Sequence, residues 1–81
     1  MVHADVVYLR HIRDAILRIK EYLQEINEEE FHRNYLVQDG VIRQLEIIGE
    51  AAKQISQKTR KNFSHIPWKD MAGMRDKLIH D

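Results

Sequence analysis

The sequence of 81 residues contains no cysteine, only one proline and only three glycines. Without cysteine the chain can form neither a disulfide nor a thiolate metal site, and this composition fits a reducing compartment. The apolar runs are only a few residues long, far short of the roughly 20 residues that a membrane-spanning helix needs. The N-terminal residues lack the basic and apolar regions of a signal peptide. We therefore expect a soluble, cytoplasmic protein that has no membrane segment.

Net charge is also absent, because 13 Lys and Arg residues balance 13 Asp and Glu residues. A balanced charge argues against general nucleic-acid binding. The distribution is uneven, however: residues 1–52 carry 6 basic and 10 acidic residues (−4), whereas residues 53–81 carry 7 and 3 (+4). The basic part is either an RNA-facing surface or a set of solvated helix faces whose charges pair with neighbours, and charge alone leaves both open.

Two long segments show the apolar spacing of helices. Over about residues 5–27 the apolar residues step by three and four, and a second stripe recurs every seven positions beside them. These stripes are Leu9, Ile12, Ile16, Ile19, Leu23 and Ile26, and Tyr8, Ala15 and Tyr22. A second helix is predicted over about 34–57 and continues through Gly40, because its stripe keeps its phase from Val37 to Val41. It is the most apolar segment, so we expect it at the centre of the fold.

A third helix is predicted over about 67–80. It begins at Pro67, since proline is favoured in the first turn of a helix. Met71, Met74 and Leu78 share one face of it, which we expect to pack on the core. Between the helices, residues 56–65 are predicted as a loop, and Glu28 to Glu30 mark an exposed turn or the start of a short helix.

These segments predict an all-α fold, a small antiparallel helical bundle in one domain spanning residues 1–81. Each long helix has two apolar stripes, and packing among three helices of one short chain would leave part of this apolar surface in water. We therefore expect a two-fold homodimer to complete the bundle. Glu29 and His32 have the spacing of a di-iron site, but such a site needs that pair twice and two further carboxylates. We predict no metal and no cofactor.

Near the end of the third predicted helix, Arg75 is followed five positions later by His80. Arginine keeps its charge and can bind two phosphate oxygens at once, and histidine exchanges a proton near pH 7. Such a pair can cleave RNA without a metal. Five residues separate the two by about 140° around a helix, so either the helix end is distorted or the site gathers pairs from two chains. If the spacing is a coincidence, Arg75 forms a salt bridge at the core edge and His80 is an exposed helix end.

The residues around this pair resemble the signature of HepT-like toxins, small ribonucleases of the HEPN superfamily. The resemblance lies in Pro67-Trp68, Met71 to Asp76 and Leu78 to Asp81, and residues Leu45 to Lys53 are similar to the second helix of that family. It implies an RNA endonuclease that acts as the toxin of a type II or type VII toxin–antitoxin pair. Arg75 would stabilise phosphate charge and His80 would act as the general acid–base. Asp76 would orient His80, and Lys77 would bind phosphate.

The resemblance also implies a dimer and a minimal nucleotidyltransferase as the antitoxin. In the family, a tyrosine that some antitoxins adenylylate follows the histidine after one residue, and a further C-terminal helix comes later. The sequence stops at Asp81, where the tyrosine would come next. Because a helix end so near the terminus frays, we expect the 81-residue form to be impaired as a nuclease. The alternative hypothesis is a non-enzymatic helical module that dimerises and binds the nucleotidyltransferase or a nucleotide.

Overall fold

The computed structural model of the chain describes the backbone of residues 2–80 and the side chains of residues 2–74. Within this range the chain forms helices and no strands. The helices are α1 (His3–Leu23), α2 (Glu28–Arg33), α3 (Tyr35–Gln54), α4 (Gln57–Asn62) and α5 (Trp68–His80). The prediction of an all-α helical bundle is confirmed. The dimer that should complete it stays a prediction.

Helix α3 is the centre of the bundle, as predicted, because both α1 and α5 pack extensively against it. Helices α1 and α3 are antiparallel: Asp5, near the start of α1, contacts Ser56 just beyond α3, and Tyr22, near the end of α1, contacts Gly40 near the start of α3. The core takes residues from all three long helices and from the α3–α4 junction. Its buried apolar members are Ile12, Ala15, Ile48, Ala51, Ala52, Ile55 and Trp68.

The first apolar stripe of α1 and its neighbouring stripe are buried over only part of their length. Ile12 and Ala15 are buried, and Leu9 and Ile19 pack against the core. Ile16 and Leu23, which belong to the same stripe, are 42% and 38% exposed. The exposed residues leave apolar surface on α1 that one chain does not cover.

Helix α1 ends at Leu23, four residues before the predicted end near Asn27. The reason is local: Gln24 has an extended conformation with ψ of 127°, and Glu25 then adopts the left-handed one with φ of 62°, so the α-helix cannot continue. The side chain of Asn27 then accepts a hydrogen bond of 2.8 Å from the Glu30 amide and caps α2. The acidic run therefore begins a short helix, which was one of the two predicted alternatives.

Helix α3 begins with a similar cap, since the Asn34 side chain accepts a hydrogen bond of 3.0 Å from the Val37 amide. The helix continues through Gly40 as predicted and ends at Gln54 rather than near residue 57. The prediction of a loop over residues 56–65 is wrong for residues 57–62, which form α4. This short helix buries only Thr59, so it shows no apolar period in the sequence. Among the described helices none is both long enough and apolar enough to cross a bilayer.

Candidate active site

The four predicted site residues lie in the second half of α5. The α-helical backbone extends from Trp68 to His80, one residue later at its start than predicted. It is helical at Arg75, Asp76, Lys77 and His80. The side chains of these four residues, and of Leu78, lie outside the described ones. In a regular helix the α carbons of Arg75 and His80 are about 7.5 Å apart along the axis and about 140° apart around it.

The first turns of α5 are fixed to the rest of the bundle by Trp68. Its side chain is buried, and its Nε1 donates a hydrogen bond of 3.0 Å to the carbonyl of Phe63. The Pro67 carbonyl, immediately before the helix, accepts the amide of Met71 at 3.0 Å. Met71 and Met74 pack against the core, which confirms their predicted orientation. The buried indole therefore holds the start of the helix that carries the predicted catalytic pair.

A buried carboxylate, Asp5, ties α1 to α4 at the same end of the bundle. Asp5 is 1% exposed. Its Oδ1 accepts the Ser56 amide at 2.9 Å, and its Oδ2 accepts the Ser56 hydroxyl at 2.6 Å and the Thr59 hydroxyl at 2.5 Å. We call these three residues the Asp5 latch. It positions α4, and α4 leads through the turn at Phe63 to the anchored start of α5.

The hydrogen bonds of the latch lower the pKa of Asp5 below its usual value of 3.8. The Ser56 hydroxyl contributes most, followed by the Thr59 hydroxyl and the Ser56 amide. Burial acts in the opposite direction, because it disfavours the charged form, but it is outweighed. The carboxylate is therefore ionised at neutral pH and is compensated by hydrogen-bond donors rather than by a basic side chain.

Arg60, on α4, caps the end of α3. Its Nη2 donates to the Ala52 carbonyl at 2.7 Å, and its Nε donates to the Ile55 carbonyl at 3.1 Å. These carbonyls lie at the C-terminal end of α3, where the helix dipole is negative and a cation is favoured.

A separate open groove lies between α1 and α3. It is lined by Tyr8, His11, Arg43, Glu46, Ile47, Glu50, Ala51 and Gln54. The rings of Tyr8 and His11 pack edge to face with centroids 5.9 Å apart. The groove holds charges of both signs and shows no preference for an anionic substrate.

The Glu29–His32 pair, considered above as a metal-site spacing, has other contacts. Glu29 forms an ion pair with Arg33 at 3.4 Å, and His32 Nε2 lies 3.6 Å from a carboxylate oxygen of Glu28. All four side chains are well exposed. Among residues with described side chains, no group of three potential ligands is close enough together to hold a metal ion.

Comparison of the sequence with known proteins identifies a matching family. The family model described as Ribonuclease HepT-like matches residues 12–81, which include all of α2 to α5 and the Arg75–His80 pair. The chain belongs to the HepT-like ribonuclease family. The resemblance seen in the sequence is thereby confirmed. Among the solved structures, none gives a significant match to this HepT-like chain.

Curated relatives of the HepT-like chain come from archaea and bacteria. A "probable ribonuclease HepT" of Thermococcus cleftensis is 49% identical over 73 residues, which are 90% of this chain and 66% of the relative. A "putative RNase" of Caldanaerobacter subterraneus subsp. tengcongensis is 42% identical over 91% of this chain and 66% of its own length. A "gamma-glutamylcyclotransferase and putative RNase" of Methanocaldococcus jannaschii is 47% identical over 90% of this chain and 33% of its own length. The HepT-like chain thus spans less than two thirds of the length of these relatives.

Proposed function

We propose that this HepT-like chain is a metal-independent RNA endonuclease and the toxin of a toxin–antitoxin pair. The observation that supports this most directly is the position of Arg75 and His80 five residues apart on α5, within the segment that matches the ribonuclease family. The names of the relatives support the general activity, since each includes a ribonuclease. The roles of individual residues below are part of the proposal.

The proposed reaction uses the 2′-hydroxyl of the RNA as the nucleophile. His80 takes the proton of that hydroxyl or gives one to the leaving 5′-oxygen. The 2′-oxygen forms a bond to phosphorus as the bond from phosphorus to the 5′-oxygen breaks. Arg75 stabilises the charge that develops on the phosphate oxygens. The first product ends in a 2′,3′-cyclic phosphate, and water opens it to a 3′-phosphate. Asp76 orients His80 from one turn away, and Lys77 binds a neighbouring phosphate.

We propose further that the active site forms between two chains. The backbone of α5 is helical at both residues, so Arg75 and His80 of one chain lie on different sides of the helix. A two-fold axis near α5 would bring each arginine toward the partner chain's histidine. Exposed apolar residues on α1 and α3, including Leu17 and Ile42, offer surface for such a dimer. The proposed antitoxin is a minimal nucleotidyltransferase.

The test is cleavage of an end-labelled RNA, with and without EDTA, by the wild-type chain and its variants. Because we expect the 81-residue form to be impaired, the same assay includes a form extended beyond Asp81. His80→Ala should lower the rate by about 10²–10⁴-fold and Arg75→Ala by about 10²–10³-fold, both with unchanged helix content and dimerisation. Arg75→Lys should restore little, because an ammonium cannot contact two oxygens in one plane. Asp76→Asn should have a smaller effect.

EDTA should leave the rate unchanged, and the products should carry a 2′,3′-cyclic phosphate or a 3′-phosphate. Cleavage that requires Mg²⁺, or full activity of His80→Ala, would contradict the proposal. If neither form cleaves RNA but both bind the nucleotidyltransferase, the alternative of a non-enzymatic binding module is correct.

A further inference from the structure

The stretch between Glu50 and Asp70 contains five basic residues and no acidic residue. The structure folds it into the end of α3, the whole of α4, the turn that follows and the start of α5. A groove at the junction of α4 and α5 is lined by Arg60, Lys61, Ser64, Ile66, Pro67, Trp68, Lys69 and Asp70. We propose that this groove binds the backbone of single-stranded RNA. The inference rests on the proposed ribonuclease function and adds a binding surface outside the catalytic pair.

The charge of the groove comes from both of its sides. Lys61 is on α4 and Lys69 is on α5, and both are exposed. Among the described side chains neither lysine forms an ion pair. Arg60 adds a third positive charge, although two of its N–H groups already bind carbonyls of α3. Among the lining residues with described side chains Asp70 is the one acidic residue, so these residues together carry a net charge of about +2, which suits a phosphodiester chain.

An exposed aromatic side chain on the turn between α4 and α5, next in sequence to Ser64 of the groove, favours single strands over duplexes. Phe63 is 40% exposed, and its ring lies edge-on to that of the exposed His65, with centroids 6.4 Å apart. Trp68, by contrast, is buried and cannot stack on a base. A base stacks on an exposed ring only when it is not paired in a helix, so aromatic surface near lysines is typical of single-strand recognition.

The turn that carries Phe63 is held in place before any ligand arrives. The Phe63 amide donates to the Thr59 carbonyl at 3.0 Å. The Phe63 carbonyl accepts both the Ile66 amide at 3.1 Å and the indole Nε1 of Trp68 at 3.0 Å. A fixed turn loses little conformational freedom when it binds, which favours affinity. Lys69 is six residues before Arg75 on α5, or about 9 Å along the helix axis. Arg75 is also about 120° around the helix from Lys69, so a strand in the groove reaches it by following the surface of α5 around the helix.

The experiment measures binding of a fluorescent single-stranded 2′-O-methyl RNA to the 81-residue chain by anisotropy. The 2′-O-methyl group removes the proposed nucleophile, so the probe stays intact. The Lys61→Gln/Lys69→Gln variant should bind about 10- to 25-fold more weakly near 0.1 M salt and should lower the slope of log affinity against log salt by about 1.4, the value for two phosphate contacts. Phe63→Leu, which keeps an apolar side chain, should lose roughly tenfold at every salt concentration.

The matched control is Arg18→Gln/Lys20→Gln, which removes the same charge from exposed positions of α1. These positions lie toward the end of α1 that contacts the start of α3, away from α4. The control should bind like the wild type. Circular dichroism should show equal helix content for every variant. A duplex of the same sequence and an inorganic polyphosphate should both compete less well than the single strand.

Three results would overturn the inference: unchanged affinity and salt slope for Lys61→Gln/Lys69→Gln, an equal loss in the α1 control, or equal competition by polyphosphate or duplex. Failure of the proposed function is recognised separately. If the groove binds RNA as described but ordinary RNA is not cleaved by the extended form, the nuclease proposal fails and the binding surface stands. If cleavage depends on Arg75 and His80 while the lysine variant binds normally, only this inference fails.

Discussion

The ring of Tyr22 lies directly against the backbone of Gly40. A β carbon on Gly40 would be 3.2 Å from Cε2 and 3.3 Å from Cδ2 of that ring, which is closer than ordinary van der Waals contact. The glycine therefore lets α1 and α3 approach each other near one end of the bundle. Gly73 on α5 is different, because a β carbon there would meet no atom of the described residues within 4 Å.

The two glycines give opposite predictions for the same substitution. Gly73→Ala should raise the free energy of unfolding by about 1 kcal/mol, because alanine is the better helix former and has open space around it. Gly40→Ala should bring no such gain, since the tyrosine ring must move to admit the methyl group. Urea unfolding of both variants measures the difference. Equal stabilisation by the two substitutions would show that Tyr22 moves aside at no cost.

Replacing Glu25 by glycine should stabilise the protein, because the left-handed conformation costs a residue with a β carbon about 1 kcal/mol. Glu25 lies just after the end of α1 and has a φ of 62°. Glu25→Gly is expected to raise the midpoint of thermal unfolding. The matched control is Glu21→Gly within α1, where the same change should cost about 1 kcal/mol. A lower midpoint for Glu25→Gly would show that the left-handed conformation of Glu25 does not reduce the stability of the fold.

The Asp5 latch should make stability depend on acid pH. The pKa of Asp5 is lower in the folded chain than the ordinary value of about 4 that it regains on unfolding. Its stabilisation is therefore fully present above about pH 4 and is lost as the pH falls through the folded pKa. Asp5→Asn should unfold at a lower temperature at neutral pH, and the gap to wild type should narrow in acid.

The control for this prediction is Asp14→Asn. Asp14 is exposed and pairs only with the neighbouring Arg13 at 3.1 Å, so its loss should hardly change stability at any pH. Thermal unfolding followed by circular dichroism from acid to neutral pH compares the three proteins. A gap between wild type and Asp5→Asn that stays constant with pH would show that the latch does not depend on the charge.

Arg60 should stabilise the fold through its contacts with α3. Arg60→Gln should lower the free energy of unfolding by about 1–2 kcal/mol, because two carbonyls at the end of α3 lose their charged donor. Lys61→Gln removes the same charge from the adjacent position and should change stability by less than about 0.5 kcal/mol. Chemical denaturation of both variants tests this. An equal effect of the two would assign the stabilisation to net charge rather than to the cap.

The three long helices, which bury an apolar face, could be predicted from the sequence, whereas α2 was one of two alternatives and α4 was not predicted. The apolar stripes of α1 and α3 and the methionines of α5 pack against one another, and this burial is what gives these helices their regular apolar spacing in the sequence. Helix α4 has no such face, and it is held by polar contacts of Ser56, Thr59 and Arg60. Ser56 is a typical N-cap residue, and that signal could have indicated α4.

The Asp5 latch was missed because an aspartate in the first turn of a helix is usually solvated. Its partners follow 51 and 54 residues later, and no local pattern connects them. For the candidate site, residue types and spacing suggested a chemistry for Arg75 and His80, and this chemistry stays a prediction. Whether and how the two act together could not be predicted, because a regular helix separates them by about 140° and any contact between two chains leaves no spacing pattern within one sequence.

The number of residues between Asp5 and its partners also determines when the latch can form during synthesis of the chain. At a synthesis rate of about 5–20 residues per second, Asp5 is made several seconds before Ser56 and Thr59. During that interval its carboxylate has only water as a partner, and the face of α1 that carries it has no α4 to pack on. The latch closes only on a nascent chain that already includes Thr59. It therefore distinguishes a chain made as far as α4 from any shorter one.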